Sequence, residues 1–465
     1  MVFKLENIGI VRYAEVEMGK LNIICGMNNS GKTYITYAIY GFLYFWKNMF
    51  KLPIELKEFE KLKESGVYNL PLLQYIDKAP QIIKQACIEY TEMLSSVFSS
   101  HERKFVDASL MLDVSPGEIL LADSEYEGGI RSPDTKTGLK FRKEENSDVL
   151  IITLFSKDDD YNEIPDFIVG QTISDAIKKI VFSSVFPSTF IISAERTGAA
   201  IFRKELNFAR NKIIEAVSKN DVEIDPLFLL RETVSDYAWP VEHNVEFTRN
   251  LENIFKSESY IFKHHREIIE SFTDVLGGTY QVTEEDGLFF KPESKNKKAQ
   301  LSMDESSGSA RSLLDIGFYL KHKAQVGDIL MIDEPELNLH PANQRKLARL
   351  LARLVNCGIM VFVTTHSDYI LRELNNLILL KGNKPHFSQI VENEGYSETE
   401  LLSASCVKIF TAREENVIVP GNKRRSKVNT LVRVSVDDEV GIENSSFDDV
   451  INDMNRISDD IMFGG

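Results

Sequence analysis

Cysteine is scarce in this chain of 465 residues: only Cys25, Cys87, Cys357 and Cys406 are present. Scattered as they are, they form neither a disulfide framework nor a metal-type spacing, and they read as reduced, buried thiols of a cytoplasmic protein. Long hydrophobic runs are missing too. No stretch approaches the roughly 18–20 apolar residues that span a bilayer. The opening Met1-Val2-Phe3-Lys4-Leu5-Glu6 lacks the profile of a signal peptide, so a cytoplasmic location with no membrane contact is expected. Positive charge is in deficit, with a formal net charge of −16. That disfavours broad, nonspecific nucleic-acid binding, which basic surfaces drive by counterion release, while leaving room for a local basic patch. There are no internal repeats, and no heptad run is long enough for an extended coiled coil.

What remains is ordinary for a globular protein, with 43% hydrophobic and 27% charged residues. The informative stretch is Gly26-Met27-Asn28-Asn29-Ser30-Gly31-Lys32-Thr33, which fits G-x-x-x-x-G-K-[ST] without a mismatch. An apolar run, Leu21 to Cys25, precedes it as a strand, and proline-free Tyr34 to Phe45 follows as a helix. In that setting the glycines let backbone wrap close to phosphates, and free N–H groups at the helix start face negative charge. Lys32 is placed to reach the β- and γ-phosphates of a nucleoside triphosphate, and the Thr33 hydroxyl to ligate Mg²⁺.

The chain before this loop reads as a strand pair, Phe3 to Ile8 and Ala14 to Met18. Lys51 to Ser100 reads as helical, 104–155 as short strands broken by Ser115-Pro116-Gly117 and Gly128-Gly129, and Phe190 to Ser193 as a compact strand. Ile201 to Val275 is expected to be mostly helical. Tyr280 to Val282 and Leu288 to Phe290 are expected to form a hairpin around Asp286-Gly287, with a polar loop from Lys291 to Lys298. Then Ile329-Leu330-Met331-Ile332 leads into Asp333-Glu334, an apolar strand ending in two carboxylates. Ligands of nucleotide-binding sheets gather at such strand ends. Asp333 is a candidate for the Mg²⁺ shell and Glu334 for orienting and deprotonating an attacking water. A further strand, Ile359 to Thr364, ends at His366, a candidate for touching the γ-phosphate.

Just before the acidic strand lies Glu305-Ser306-Ser307-Gly308-Ser309-Ala310-Arg311-Ser312-Leu313, opening an apparent helix; just after it comes Pro335-Glu336-Leu337-Asn338-Leu339-His340-Pro341. This order resembles the ATP-binding-cassette class: Walker A, a large insertion, signature, Walker B, D-loop and switch histidine. Within that class the chain is similar to the soluble branch containing RecF, Rad50, SMC and the OLD ATPases. The resemblance implies an α/β P-loop head assembled from both chain ends with a mixed helical and β insertion. It divides the chain into 1–48 (Walker A part), 49–275 (insertion, with a head strand near 188–198), 276–380 (signature to switch histidine) and 381–465 (a C-terminal extension). It further implies that Ser307, Gly308 and Ser309 bind the γ-phosphate of ATP held by another copy, so an ATP-dependent homodimer or higher oligomer is expected. The match departs from Leu-Ser-Gly-Gly-Gln at Ser306, Ser309 and Ala310.

Ser193-Ala194-Glu195-Arg196-Thr197-Gly198, together with Gly441-Ile442-Glu443 and Ser446-Phe447-Asp448, resembles a narrower group. These are the ATPases that accompany an effector in bacterial anti-phage systems of the PARIS or Septu type. That implies a sensor and scaffold ATPase, a separate toxic effector such as a nuclease, and a phage-encoded trigger. The alternatives are a DNA-repair or chromosome-type clamp and the nucleotide-binding subunit of a transporter. Arg196 fits either a phosphate contact or an ion pair with Glu195. Beyond residue 380 there is neither the Glu…Asp-x-Asp pattern of a Toprim nuclease nor a His-x-x-Glu-His zinc arrangement. His264-His265 reads as a solvated pair and Lys423-Arg424-Arg425-Ser426-Lys427 as a loop.

Overall fold

The computed structural model describes residues 1–54, 56–121, 123–131, 138–155, 165–203, 237–283, 287–293, 299–382, 384–443 and 445–463. Residues 204–236 of the expected helical region, Asp286 of the hairpin turn and 294–298 of the polar loop lie outside the described residues. Strand β1 (Val2–Ile8) turns back on β2 (Val11–Glu17), and β3 (Leu21–Gly26) leads through the phosphate-loop sequence into helix α1 (Lys32–Met49). There follow β4 (Val67–Pro71), α2 (Leu73–Glu92), β5 (Ser109–Asp113), β6 (Tyr126–Arg131), β7 (Gly138–Lys143) and β8 (Val149–Phe155). Next come α3 (Asp166–Ile177), β9 (Thr189–Ile192), α4 (Arg196–Ile201), α5 (Trp239–Arg249) and α6 (Arg266–Leu276). A hairpin of β10 (Gly278–Thr283) and β11 (Gly287–Pro292), joined by β12 (Leu301–Ser302), precedes α7 (Gly308–Ser312) and α8 (Leu314–His322). The remainder is β13 (Ile329–Asp333), α9 (Pro341–Asn356), β14 (Met360–Thr365), α10 (Asp368–Leu379), β15 (Val407–Val417), β16 (Ser426–Val434) and α11 (Ser445–Phe463).

Among the described residues nine strands form one sheet in the order β5-β1-β2-β16-β15-β3-β14-β13-β9. The run from β15 to β9 is parallel throughout, whereas β5, β1 and β2 pair antiparallel. The composition follows this division. β3 and β13 are almost wholly buried apolar runs, as parallel strands covered on both faces must be, while β1 and β2 alternate between buried and open positions. Because successive side chains point to opposite faces, one strand feeds two cores. Ile24, Ile329, Met331 and Phe362 join Ile35, Phe42 and Trp46 of α1 on one side. Ile23, Cys25, Leu330, Ile332 and Val363 join Leu314 of α8, Leu347 and Leu351 of α9 and Ile370 of α10 on the other.

Two placements differ from the reading of the sequence. Val407–Val417 falls in the expected C-terminal extension, yet β15 lies at the middle of the sheet, parallel to the phosphate-loop strand from Val407–Leu21 to Ala412–Gly26. Two strands of the 381–465 region, β15 and β16, therefore belong to the head sheet. Described residues of the inserted stretch pack directly on the head. β5 is the edge strand beside β1, and Leu70, Phe141, Leu150 and Ile152 of the second sheet (β4-β8-β7-β6) share the core under α1. Tyr90 of α2 donates its hydroxyl to the Ala38 carbonyl at 2.7 Å, against Gly41, where a Cβ would meet that hydroxyl. Finally, β4 interrupts the expected helical stretch, because Val67–Pro71 pairs antiparallel with β8, a partner no local pattern announces. None of the four cysteines is in a disulfide, and no helix among the described residues is long and apolar enough to cross a membrane.

Candidate functional site

The site starts where β3 ends. Gly26 has φ +139, and a Cβ there would lie 2.5 Å from the Ala412 carbonyl oxygen of β15. Only glycine tolerates both the conformation and that approach. The loop then turns through Asn29 (φ 58) and Gly31 (φ 95) into α1. Ser30 donates its hydroxyl to the Met27 carbonyl at 2.7 Å, and the Lys32 ammonium donates to the carbonyls of Gly26 at 3.1 Å and Met27 at 2.8 Å. Burial lowers the pKa of Lys32, opposed by the nearby carboxylates of Glu334 and Asp333.

Asp333, at the end of β13, is 2% exposed. Thr33 donates to its Oδ2 at 3.1 Å, and Thr364 of the neighbouring strand donates to its Oδ1. Burial raises its pKa; the two hydroxyl hydrogen bonds lower it, and the charges of Glu334 and Glu195 raise it again. Glu334 follows with φ 52, a left-handed backbone that a non-glycine residue rarely adopts. Its N–H donates to the Thr364 carbonyl at 3.1 Å and its carboxylate lies 3.3 Å from His366 Nε2. A cavity of about 640 Å³ is lined by Ile10, Asn28, Asn29, Ser30, Gly31, Lys32, Thr33, Tyr34, Glu334 and His366, a size suited to a nucleotide-scale ligand.

Two parts of the chain separated by the whole insertion are thus brought together at the carboxyl ends of β3, β13 and β14. Ser307, Gly308 and Ser309 are placed elsewhere: among the described residues they do not line this cavity. Ser307 caps α7, accepting from the Ala310 N–H at 3.2 Å, and its hydroxyl is 2.8 Å from that of Ser309. Gly308 packs on Asn338, the loop residue after the acidic strand, 3.3 Å from where a Cβ would stand.

Three further charged residues, Glu336, Glu195 and Arg196, surround the site. Glu336 is buried; its Oε1 accepts from the Thr365 hydroxyl at 2.9 Å and from the His366 N–H at 2.6 Å, which fixes the loop carrying His366. Burial raises its pKa, and the backbone N–H of His366 pulls it back. Glu195 accepts from the Tyr37 hydroxyl at 3.2 Å and sits close enough to Asp333 to act on its charge. Arg196 is 1% exposed and, among the described residues, donates to four backbone carbonyls instead of pairing with the Glu195 carboxylate. The only sequence signal for this group was position, Glu195 and Arg196 just after a buried strand and Glu336 just after Glu334. Of the remaining candidates, His265 pairs with Glu267 at 3.2 Å, the His264 ring packs at a tilt against Tyr260, and residues 423–425 form part of the exposed turn between β15 and β16.

The chain matches the AAA ATPase domain family across residues 1–371. Among solved structures it is similar to an SMC head bound to the C-winged helix domain of ScpA (13% identity, 93% of this chain and 97% of that one, TM-score 0.36). It is also similar to an Smc head domain with an extended coiled coil bound to the C-terminal domain of ScpA derived from Pyrococcus furiosus (12%, 98% and 98%, 0.31). A third is the SMC head domain from Thermotoga maritima (11%, 94% and 98%, 0.29). No curated protein matches the chain. With the family match running from the first strand, through the phosphate loop and the acidic strand end, into the helix behind His366, the chain belongs to the AAA ATPase domain family and is an ATPase.

Proposed function

We propose that this ATPase works as a switch, hydrolysing ATP slowly at composite sites between two copies of the chain. The observation that carries the reading is the meeting of Thr33, Asp333, Glu334 and His366 beside the phosphate loop, with Thr33 and Asp333 3.1 Å apart and Glu334 and His366 3.3 Å apart. A hydroxyl and a carboxylate are the hard oxygen donors that Mg²⁺ accepts alongside phosphate oxygens and water, so Thr33 and Asp333 would hold that ion. When bound it supplies charge neutralisation at the phosphates. Lys32, together with the N–H groups of Asn28 to Thr33, faces the phosphates. Glu334 orients the attacking water and takes its proton, and His366 contacts the γ-phosphate. Ser307, Gly308 and Ser309, with Ser307 exposed at the head of α7, meet the γ-phosphate held by the other copy. Glu334→Gln tests the assignment. The amide still orients water without accepting its proton, so ATP binding should persist and hydrolysis should stop; unchanged turnover would remove Glu334 as the base.

We propose further that the switch is the sensor ATPase of an anti-phage defence complex. In this reading it holds a separate toxic effector, a nuclease being one candidate, and releases or activates it when a phage-encoded trigger binds. Support comes from the resemblance carried by Ser193–Gly198, Gly441–Glu443 and Ser446–Asp448. The chain would be expressed alone and with its neighbouring gene under phage challenge. Protection only from the pair, dependent on Lys32 and Glu334, is expected; full protection or toxicity from this chain alone would overturn the scaffold reading.

A further inference from the structure

A guanidinium sealed from water needs its donors satisfied, and a carboxylate is the usual partner. Arg196 satisfies four of its donors on backbone carbonyls alone. Nε–H donates to Ser312 at 2.8 Å, Nη1 to Ser193 at 2.9 Å and to Asp333 at 2.8 Å, and Nη2 to Glu334 at 2.6 Å. These carbonyls belong to three elements. Ser193 follows β9, Ser312 is the last residue of α7, and Asp333 ends β13 with Glu334 just after it. The planar fork holds them in one arrangement, which a point charge on a flexible stem could not do.

The most constrained of the four is Glu334. Its left-handed backbone costs about 1 kcal/mol or more for a residue with a Cβ, and the structure restrains it from both sides. Thr364 accepts from its N–H, while Arg196 donates to its carbonyl. The direction of the Glu334 carboxylate therefore depends on Arg196. Arg196 in turn depends on α7, because its Nε–H has Ser312 as partner. α7 is five residues long and carries Gly308 and Ser309 at the end opposite Ser312, with Ser307 capping it. Asn244 and Thr248 of α5 fix the surroundings. The Ser193 N–H donates to Asn244 Oδ1, and the amide and hydroxyl of this pair donate to the buried Asp315 carboxylate of α8, which lies close enough to act on Arg196.

We infer that Arg196 is a positioning residue for hydrolysis, clamping the Glu334 backbone to the C-terminal end of α7 so that the carboxylate is aimed at water only while α7 sits in its docked place. This deepens the proposal of composite sites and rests on it: a second copy's nucleotide engaging Ser307–Ser309 loads the same short helix that Arg196 reads. ATP binding, which uses the phosphate loop, does not require the clamp. Turnover does.

The test compares Arg196→Lys and Arg196→Met with wild type in the full chain. It measures ATP binding at equilibrium, steady-state kcat and KM, thermal unfolding, and the rise of specific activity with protein concentration. Arg196→Lys keeps the charge and loses the fork. Its ATP affinity and folding should stay close to wild type, while kcat falls on the order of 100-fold, the scale of a misplacement near 1 Å. Its specific activity should no longer rise with concentration. Wild-type kcat in Arg196→Lys overturns the clamp. So does a loss of ATP affinity and melting temperature in step with kcat in both variants, which would make Arg196 a structural residue only. Glu334→Gln separates the two levels. If it abolishes turnover while Arg196→Lys leaves it intact, the inference about Arg196 alone fails. If Glu334→Gln turns over normally, the base assignment fails and the clamp with it.

Discussion

Gly26→Ala is the substitution whose cost the structure lets one work out most directly, and it probes why the C-terminal strands matter to the nucleotide site. At φ +139 an L-residue sits outside its allowed backbone regions, a strain of about 1–3 kcal/mol. The new Cβ would also stand 2.5 Å from the Ala412 carbonyl oxygen and 3.2 Å from its nitrogen. Those are backbone atoms of a strand paired in register with β3, so no flexible side chain can swing aside, and overpacking of this kind adds about 1–3 kcal/mol. The total is about 2–6 kcal/mol. It can be relieved in two ways, by β15 drawing away from β3 or by the phosphate loop shifting off the strand end. The first lowers the unfolding midpoint and the second weakens ATP binding, so both are measured, by urea unfolding and by equilibrium titration with ATP. Gly277→Ala is the control. Gly277 also has a left-handed backbone, φ +68, but its Cβ would meet nothing within 4 Å, so it should cost only about 1–2 kcal/mol. If Gly26→Ala unfolds like Gly277→Ala and binds ATP like wild type, the contact with Ala412 is not a constraint on the loop, and the reasoning fails.

Lys32→Ala should weaken ATP binding while leaving the unfolding midpoint near wild type, since among the described residues the ammonium donates its hydrogen bonds to two loop carbonyls; wild-type ATP affinity would contradict its role. Ser307→Arg should leave each copy folded and able to bind ATP but block ATP-dependent pairing, read by light scattering; normal pairing would count against composite sites. His243, hydrogen-bonded to Tyr40, is held neutral by burial, its pKa pushed down from 6.5 to about 4. The unfolded chain takes up that proton first, so this contribution to stability is complete above pH 6.5 and is lost as pH falls toward 4. His243→Phe should therefore lose less melting temperature than wild type between about pH 7 and about pH 5, and an equal loss would refute the linkage. Glu400, buried between Arg349 at 2.8 Å and Arg353 at 3.0 Å, ties α9 to the segment leading into β15. Glu400→Gln should cost about 2 kcal/mol in urea unfolding, less than a sealed pair because both arginines reach water.

Each of these tests depends on a different distance along the chain, and so did the legibility of the features they probe. The phosphate loop, the strand ending in Asp333-Glu334 and the strand ending before His366 are contiguous stretches whose conformation follows from a few neighbouring residues. Gly26 and Gly31 allow the loop, and the apolar run of β3 before it and the proline-free helix α1 after it leave little else for the backbone to do. The hairpin at Gly278–Pro292 is legible for the same reason. Val67–Pro71 lies within a stretch whose local pattern is helical, and pairing with β8 makes it a strand.

The sequence by itself therefore determined the local chemistry: a loop shaped for phosphates, carboxylates at the end of a buried strand, and an α/β chain with a large interruption between the two. Only the tertiary structure decided who stands next to whom. It set Val407–Val417 beside the phosphate-loop strand, buried the inserted sheet under α1, and aimed Arg196 at the carbonyls of Ser312, Asp333 and Glu334. The physical reason is that a backbone carbonyl is the same acceptor in every residue. A side chain that recognises carbonyls, or a strand that pairs through them, leaves no mark on the identity of its partner, and the partner is fixed only when the whole sheet closes.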